Sequence, residues 1–155
     1  MILDHIGVVV PVLERGIDQW EMLFGYRKNS DIVLNTRQKV RVVFLAKQNS
    51  LPIKLIEPSG PGSPVYLAAR KGGGLHHLCF RCSSLENEIS LLEKNGATLI
   101  VPPQPGEAFC NHRIAFLLTG NINFELIDTS EKQGWGANDL VESTHRDFKW
   151  TKHTG

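Results

Sequence analysis

Leu3-Asp4-His5-Ile6, at the start of the chain, and Gly74-Leu75-His76-His77-Leu78-Cys79-Phe80, near its middle, are the stretches whose likeness decides the fold. The second follows a glycine run, Gly72 to Gly74, that lets the backbone turn freely. It then opens a short apolar run of strand character. Side chains alternate across a strand, so His76 and His77 are expected on opposite faces, His77 toward an interior and His76 under a helix. A lone histidine beside an apolar run is most often a hydrogen-bonded core residue. What gives His77 a chemical reading is its twin, His5, 72 residues earlier.

The likeness extends along both halves. Leu13-Glu14 and Ile17 match Leu85-Glu86 and Ile89, Arg41 matches Arg113, and Phe44-Leu45 matches Phe116-Leu117, all 72 residues apart. After a turn one residue shorter, Lys54-Leu55-Ile56-Glu57 matches Glu125-Leu126-Ile127-Asp128 at 71. A self-similarity held at nearly constant offset is the signature of a duplicated structural unit.

Each unit reads as β-α-β-β-β. In the first, strands are expected at 2–10, 31–36, 39–46 and 52–57, with a helix over 13–24 stopped by Gly25. In the second, strands are expected at 75–82, 98–101, 112–118 and 122–128, with a helix over 85–95 stopped by Gly96. The fold class is α+β, in one domain over 1–155: a first module over 1–58, a Gly/Pro-rich linker over 59–74 with one helical turn near 65–70, a second module over 75–128, and a C-terminal extension over 129–155. The extension is polar, anchored by Trp135, Phe148 and Trp150, with a helix expected near 139–146 and no assigned chemistry.

Equivalent positions on the first and last strands of two such modules converge on one pocket. Those positions are His5, His77, Lys54 and Glu125, and three of the four carry metal-binding groups. Imidazole and carboxylate suit divalent Zn, Fe, Ni, Co or Mn. The competing reading is two structural histidines kept by the duplication alone.

Composition narrows the rest. With 155 residues, 41% hydrophobic and 21% charged, the chain is long enough for a real core and ordinary for a globular protein. The net charge is +1 and the basic residues are scattered, which argues against nucleic-acid or membrane-surface partners. No apolar run approaches the roughly 20 residues of a membrane helix. Met1–His5 reads as strand rather than leader, and three cysteines form no even set, so a reduced, cytoplasmic protein is expected.

In the motifs Leu3-Asp4-His5-Ile6-Gly7, Gln38–Leu45, Ile56-Glu57-Pro58, Ser63-Pro64-Val65, Gly74–Phe80, Ala115-Phe116-Leu117 and Phe124–Ile127, the chain resembles the vicinal oxygen chelate superfamily. Within it the likeness is to methylmalonyl-CoA epimerase-like proteins. Glyoxalase I and the bleomycin- and fosfomycin-resistance proteins share the plan. The resemblance covers about residues 2–128 and implies a half-open, strand-lined cup holding a divalent ion. It places His5, His77 and Glu125 on ligand positions, and Lys54 on the fourth, which is usually Gln or Glu.

Lys54 is the main departure, because a protonated amine has no lone pair for a metal. Either an ion (Co, Zn, Ni, Mn or Fe) is bound with Lys54 deprotonated or swung aside, or Lys54⁺ takes its place and pairs with Glu125. A glutamate proposed as acid/base in some epimerases appears here as Val42.

The implied activity is a metal-dependent isomerase or lyase of the epimerase/glyoxalase type. It abstracts a proton α to a carbonyl of a small substrate such as a CoA thioester, with Glu125 and Lys54 as the catalytic pair. One alternative is a metal-free small-molecule-binding or resistance protein with the same cup. Another, using the same His-His-carboxylate trio, is an extradiol-type dioxygenase. Cys79, Arg41 and Arg113 are candidates for substrate contact, though a solvated sheet arginine is the commoner case. Cys79-Phe80-Arg81-Cys82 puts its sulfurs on opposite strand faces and is no zinc knuckle. Open sheet edges and family habit suggest a homodimer.

Overall fold

The computed structural model describes residues 1–136; the helix expected near 139–146, and Phe148 and Trp150, lie outside the described residues. Both modules form in the expected order. The first comprises β1 (Ile2–Val9), α1 (Leu13–Phe24), β2 (Arg27–Lys28), β3 (Val33–Asn35), β4 (Val40–Ala46) and β5 (Ile53–Pro58). A short helix α2 (Tyr66–Arg70) lies in the connection. The second has β6 (Gly74–Arg81), α3 (Leu85–Lys94), β7 (Thr98–Pro105), β8 (Arg113–Thr119) and β9 (Ile122–Ile127). Gly25 ends α1 in the left-handed conformation, φ +70°, and so acts as the expected stop.

The strands make one mixed sheet in the order β2-β4-β5-β1-β6-β9-β8-β7, with β3 also on β4, and it does not close into a barrel. At its centre the two first strands, β1 and β6, run antiparallel. Each is flanked on its other side by the last strand of its own module, parallel to it: β5 on β1 and β9 on β6. This arrangement brings the four repeat-related positions onto four neighbouring strands.

Alternation divides each strand between two environments. Val43, Leu45, Ile53 and Leu55 pack with Leu13 of α1, while Ala115, Leu117 and Leu126 pack with Leu85 and Ile89 of α3. The opposite faces, with Val42, Phe44, Cys79, Ile114 and Ile127, line the inside of the cup. Cys82 packs with the α3 cluster and Cys79 with the inner one, so the two sulfurs do face opposite ways.

Arg41 reaches Glu14 and Glu57 at 2.6 Å, and its mate Arg113 reaches Glu86 and Asp128. Each arginine therefore joins the helix and last strand of its own module from outside the cup.

Three local features depart from simple strand reading. β7 runs on through Pro102, Pro103 and Pro105 to residue 105, which its place at the sheet edge permits, since prolines there forfeit no inner ladder bond. A 3-10 turn, Glu107–Phe109, then folds Phe109 into the inner core. Finally, β1 and β6 each carry a bulge. Register slips between Leu3 and His5, leaving Asp4 extra, and between Leu75 and His77, leaving His76 extra. Two residues on the bulged strand then oppose one on its partner, which breaks the alternation. The expectation that His76 and His77 face opposite ways is therefore corrected: both line one cavity, and their Nδ1 atoms lie 2.8 Å apart.

The His77 ring lies over Gly7, its partner on β1. A Cβ on Gly7 would fall 2.3 Å from Cε1 of His77, closer than atoms can approach. Gly7→Ala is expected to displace that ring and lower unfolding stability by about 1–3 kcal/mol, the range for overpacking a filled interior. Urea denaturation measures it, and an unchanged midpoint would contradict this packing.

Candidate functional site

Glu125 on β9 is the hub. Its carboxylate has no exposed surface, and its Oε2 lies 3.2 Å from Nε2 of His5, 3.2 Å from Nε2 of His77 and 3.0 Å from Nζ of Lys54. Lys54 also reaches Oε1 at 3.1 Å, bridging both carboxylate oxygens. The four side chains that sequence repetition groups are thus together, each with at most 1% of its side chain exposed. Phe109 and Phe44 wall the cluster, with the Lys54 ammonium 4.8 Å from the centre of the Phe109 ring and 5.8 Å from that of Phe44.

The bulges supply an outer layer. His5 donates from Nδ1 to Asp4 Oδ1 at 2.8 Å, and Asp4 in turn accepts from Lys132 at 2.9 Å. Burial would raise the Asp4 carboxyl, but the His5 hydrogen bond and Lys132 outweigh it and hold Asp4 below the ordinary range. On the other side, His76 shares a proton with His77 through their Nδ1 atoms. Both orienting groups are the extra residue of a bulge, and each precedes the histidine it orients. A carboxylate or other acceptor on one imidazole nitrogen fixes the tautomer and leaves the second nitrogen free to ligate.

That tautomer tests the fit of a metal. A single His5 proton held on Nδ1 by Asp4 would leave a lone pair at Nε2, 3.2 Å from Glu125 Oε2. Among the described residues neither the His5 nor the His77 Nε2 has an aligned hydrogen-bond partner, although both are buried. Orphaned buried polar atoms are costly and rare, and converging acceptors need a proton or a metal cation between them. Donor atoms of His5, His77 and Glu125 all lie within 4.8 Å of one another, so the trio suits one divalent ion.

Protonation states agree. Burial pushes the His77 imidazole down to about 3, so it stays neutral. Burial would raise Glu125, but its surroundings, the Lys54 ammonium foremost, hold it well below the ordinary range, as a carboxylate. Asp4, His5 and Cys79 also have converging donor atoms. There, however, Asp4 and His5 Nδ1 already satisfy each other, and burial pushes the Cys79 thiol well up, away from the thiolate a metal needs.

A cavity of about 290 Å³ opens onto this cluster. Its walls are mostly apolar, from Val40, Val42, Ile56 and Phe116, and its polar groups are Lys54, His76, His77, Gln38 and Asn123. Glu125 and His5 lie behind it. Cys79 has no exposed surface and is not on its wall, and Arg41 and Arg113 are engaged outside the cup.

Several functional residues escaped sequence reasoning. Asp4 and His76 left a usable trace, since they are themselves repeat mates flanking the two ligand histidines. Phe109 and Lys132 left none. Lys132 arrives from the extension and sits 5.4 Å from the centre of the Phe44 ring and 5.3 Å from that of Trp135.

Comparison with known proteins accords with this geometry. Residues 4–116 match the family described as the Glyoxalase/Bleomycin resistance protein/Dioxygenase superfamily. An uncharacterized protein of Bacillus subtilis, YqjC, is 32% identical over 85% of this chain and 93% of its own. The mitochondrial methylmalonyl-CoA epimerase of Dictyostelium discoideum is 28% identical over 84% of this chain and 78% of its own. Among solved structures, methylmalonyl-CoA epimerase from Mycobacterium tuberculosis superposes with a TM-score of 0.72 at 27% identity, covering 81% of this chain and 86% of that one.

Removing one member of a buried ion pair strands the other. In metal-free protein, Lys54→Met is expected to cost about 3–5 kcal/mol, a fall in Tm on the order of 10 °C. Calorimetry on chelator-treated protein checks this; an unchanged Tm would mean that Lys54 does not neutralise Glu125.

Proposed function

The chain belongs to the glyoxalase/bleomycin resistance protein/dioxygenase superfamily, and from that premise we propose that it is a divalent-metal-dependent isomerase or lyase of the epimerase/glyoxalase type. It acts on a small carbonyl compound bearing an acidic α-proton, with a CoA thioester such as methylmalonyl-CoA as the leading candidate. The observation that carries the reading is the convergence of His5, His77 and Glu125 behind an apolar cavity. Homology to methylmalonyl-CoA epimerases supports the substrate class. At about 290 Å³ the cavity is at the small end for ligand pockets, which fits an acyl group inside and the bulk of a thioester outside.

His5, His77 and Glu125 would hold the ion, which would supply a Lewis acid able to polarise the substrate carbonyl and acidify the neighbouring C–H. Asp4 and His76 keep the two imidazoles turned toward it. The apolar wall excludes water from the reacting carbon. Epimerisation takes a proton from one face and returns one on the other, so it needs two groups in opposite protonation states. Glu125 as carboxylate and Lys54 as ammonium are such a pair, and we assign them the acid/base roles.

The same proposal extends to a homodimer, for which β7 stands at the end of the sheet among the described residues, and to a reducing, cytoplasmic setting, which suits three free cysteines. No helix among the described residues is long and apolar enough to cross a membrane.

A second reading has a specific observation in its favour. The Lys54–Glu125 pair is complete in itself, as in a metal-free binding protein. Exchange of the α-proton of methylmalonyl-CoA in D2O, followed by NMR after loading with Co²⁺ or Zn²⁺, separates the two. The isomerase reading expects exchange that His77→Ala and Lys54→Gln each reduce at least 100-fold, with Lys54→Gln still binding metal. Absence of exchange with metal bound would overturn it, whereas a fully active Lys54→Gln would overturn only the acid/base role assigned to Lys54.

A further inference from the structure

Glu125 faces two claims at once. Its oxygens accept from the Lys54 ammonium at 3.0 and 3.1 Å, and Oε2 is also the atom on which both imidazoles converge. One carboxylate neutralises one cation. An ammonium and a divalent ion sharing it, in a site at most 1% exposed, would repel each other with little water to screen them. The two claims therefore exclude each other.

Lys54 has a second place to go. Its side chain lines the cavity, where it is the only Lys or Arg among the described lining residues, and no Asp or Glu lines that wall. A carboxylate entering there meets a positive charge, for which its one competitor among the described neighbours is Glu125, behind that wall. Gln38 belongs to the same wall, and its buried Nε2 lacks a hydrogen-bond partner among the described residues. The long, unbranched lysine stem supplies the reach.

We infer that Lys54 is a movable counter-charge that couples metal uptake to the binding of a carboxylate-bearing ligand. On Glu125 it keeps the metal-free site neutral and holds divalent ions off. Drawn to the ligand's carboxylate in the cavity, it yields Glu125 to the ion. Linkage then requires ion and ligand to raise each other's affinity by the same factor. The inference rests on the isomerase reading in one respect only, that His5, His77 and Glu125 hold an ion.

The test is Co²⁺ affinity, measured by competition with a chromophoric chelator, for wild type and Lys54→Met. Each is measured alone, with saturating methylmalonyl-CoA, and with saturating propionyl-CoA, which lacks the carboxylate. Without thioester, Lys54→Met is expected to bind Co²⁺ at least 10-fold tighter than wild type. In wild type, methylmalonyl-CoA is expected to tighten Co²⁺ at least 10-fold more than propionyl-CoA does, and that difference is expected to vanish in Lys54→Met. Equal Co²⁺ affinity of the two proteins would overturn the inference. So would a thioester difference that persists in Lys54→Met, since the carboxylate would then act without Lys54. If Lys54→Met does not fold, Lys54→Gln replaces it, and equal tightening by both thioesters in wild type is by itself enough to overturn the coupling. A chain that binds no Co²⁺ with or without Lys54 overturns the isomerase reading, and this inference with it.

Discussion

A carboxylate with no exposed surface must be neutralised where it stands, and Glu125 is that constraint here. Burying an unpaired charge costs several kcal/mol even after relaxation. Everything around Glu125 answers this need: an ammonium bridging both oxygens, two imidazoles aimed at one of them, and aromatic walls that keep water out. The same requirement that stabilises the fold when Lys54 meets it becomes chemistry when a metal ion meets it.

Duplication explains how four such groups come together. The paired first strands place His5 and His77 near the pseudo-symmetry axis, and each last strand runs parallel beside them. Function depends on where that symmetry is broken. Lys54 and Glu125 are mates of opposite charge, so the site is neutral without an ion. Gly7 and Cys79 are mates too, and a side chain at Gly7 would collide with the His77 imidazole. Asp4 and His76 occupy equivalent bulges but fix their histidines by different means, one with a carboxylate tied down by Lys132 and one with a second imidazole. Outside the cup the symmetry is kept, in the Arg41 and Arg113 ion groups, where it serves only to fasten a helix to each half of the sheet.

Much of this was legible in the sequence because it depends on periodicity. The offset of 72 identified the modules, Gly25 and Gly96 marked the helix ends, and the trio followed from equivalent strands. The face of His76 was not legible, because alternation presumes a regular pleat and one inserted residue cancels it. Phe109 escaped because a three-residue turn carries no periodic signal. The prolines of residues 102–105 masked a strand that survives by lying at an edge. Lys132 was passed over as part of a polar extension, since its role depends on a contact with Asp4 across more than 120 positions of chain.

The central claim is that His5, His77 and Glu125 are a single cation site. Crystallographic anomalous scattering from protein soaked in Co²⁺, with data on both sides of the absorption edge, addresses it directly. The account predicts one peak per chain, bonded to Nε2 of His5, Nε2 of His77 and a Glu125 oxygen, with Lys54 withdrawn from the carboxylate. A structure at saturating Co²⁺ with no peak there, and Lys54 still bridging both Glu125 oxygens, would contradict it.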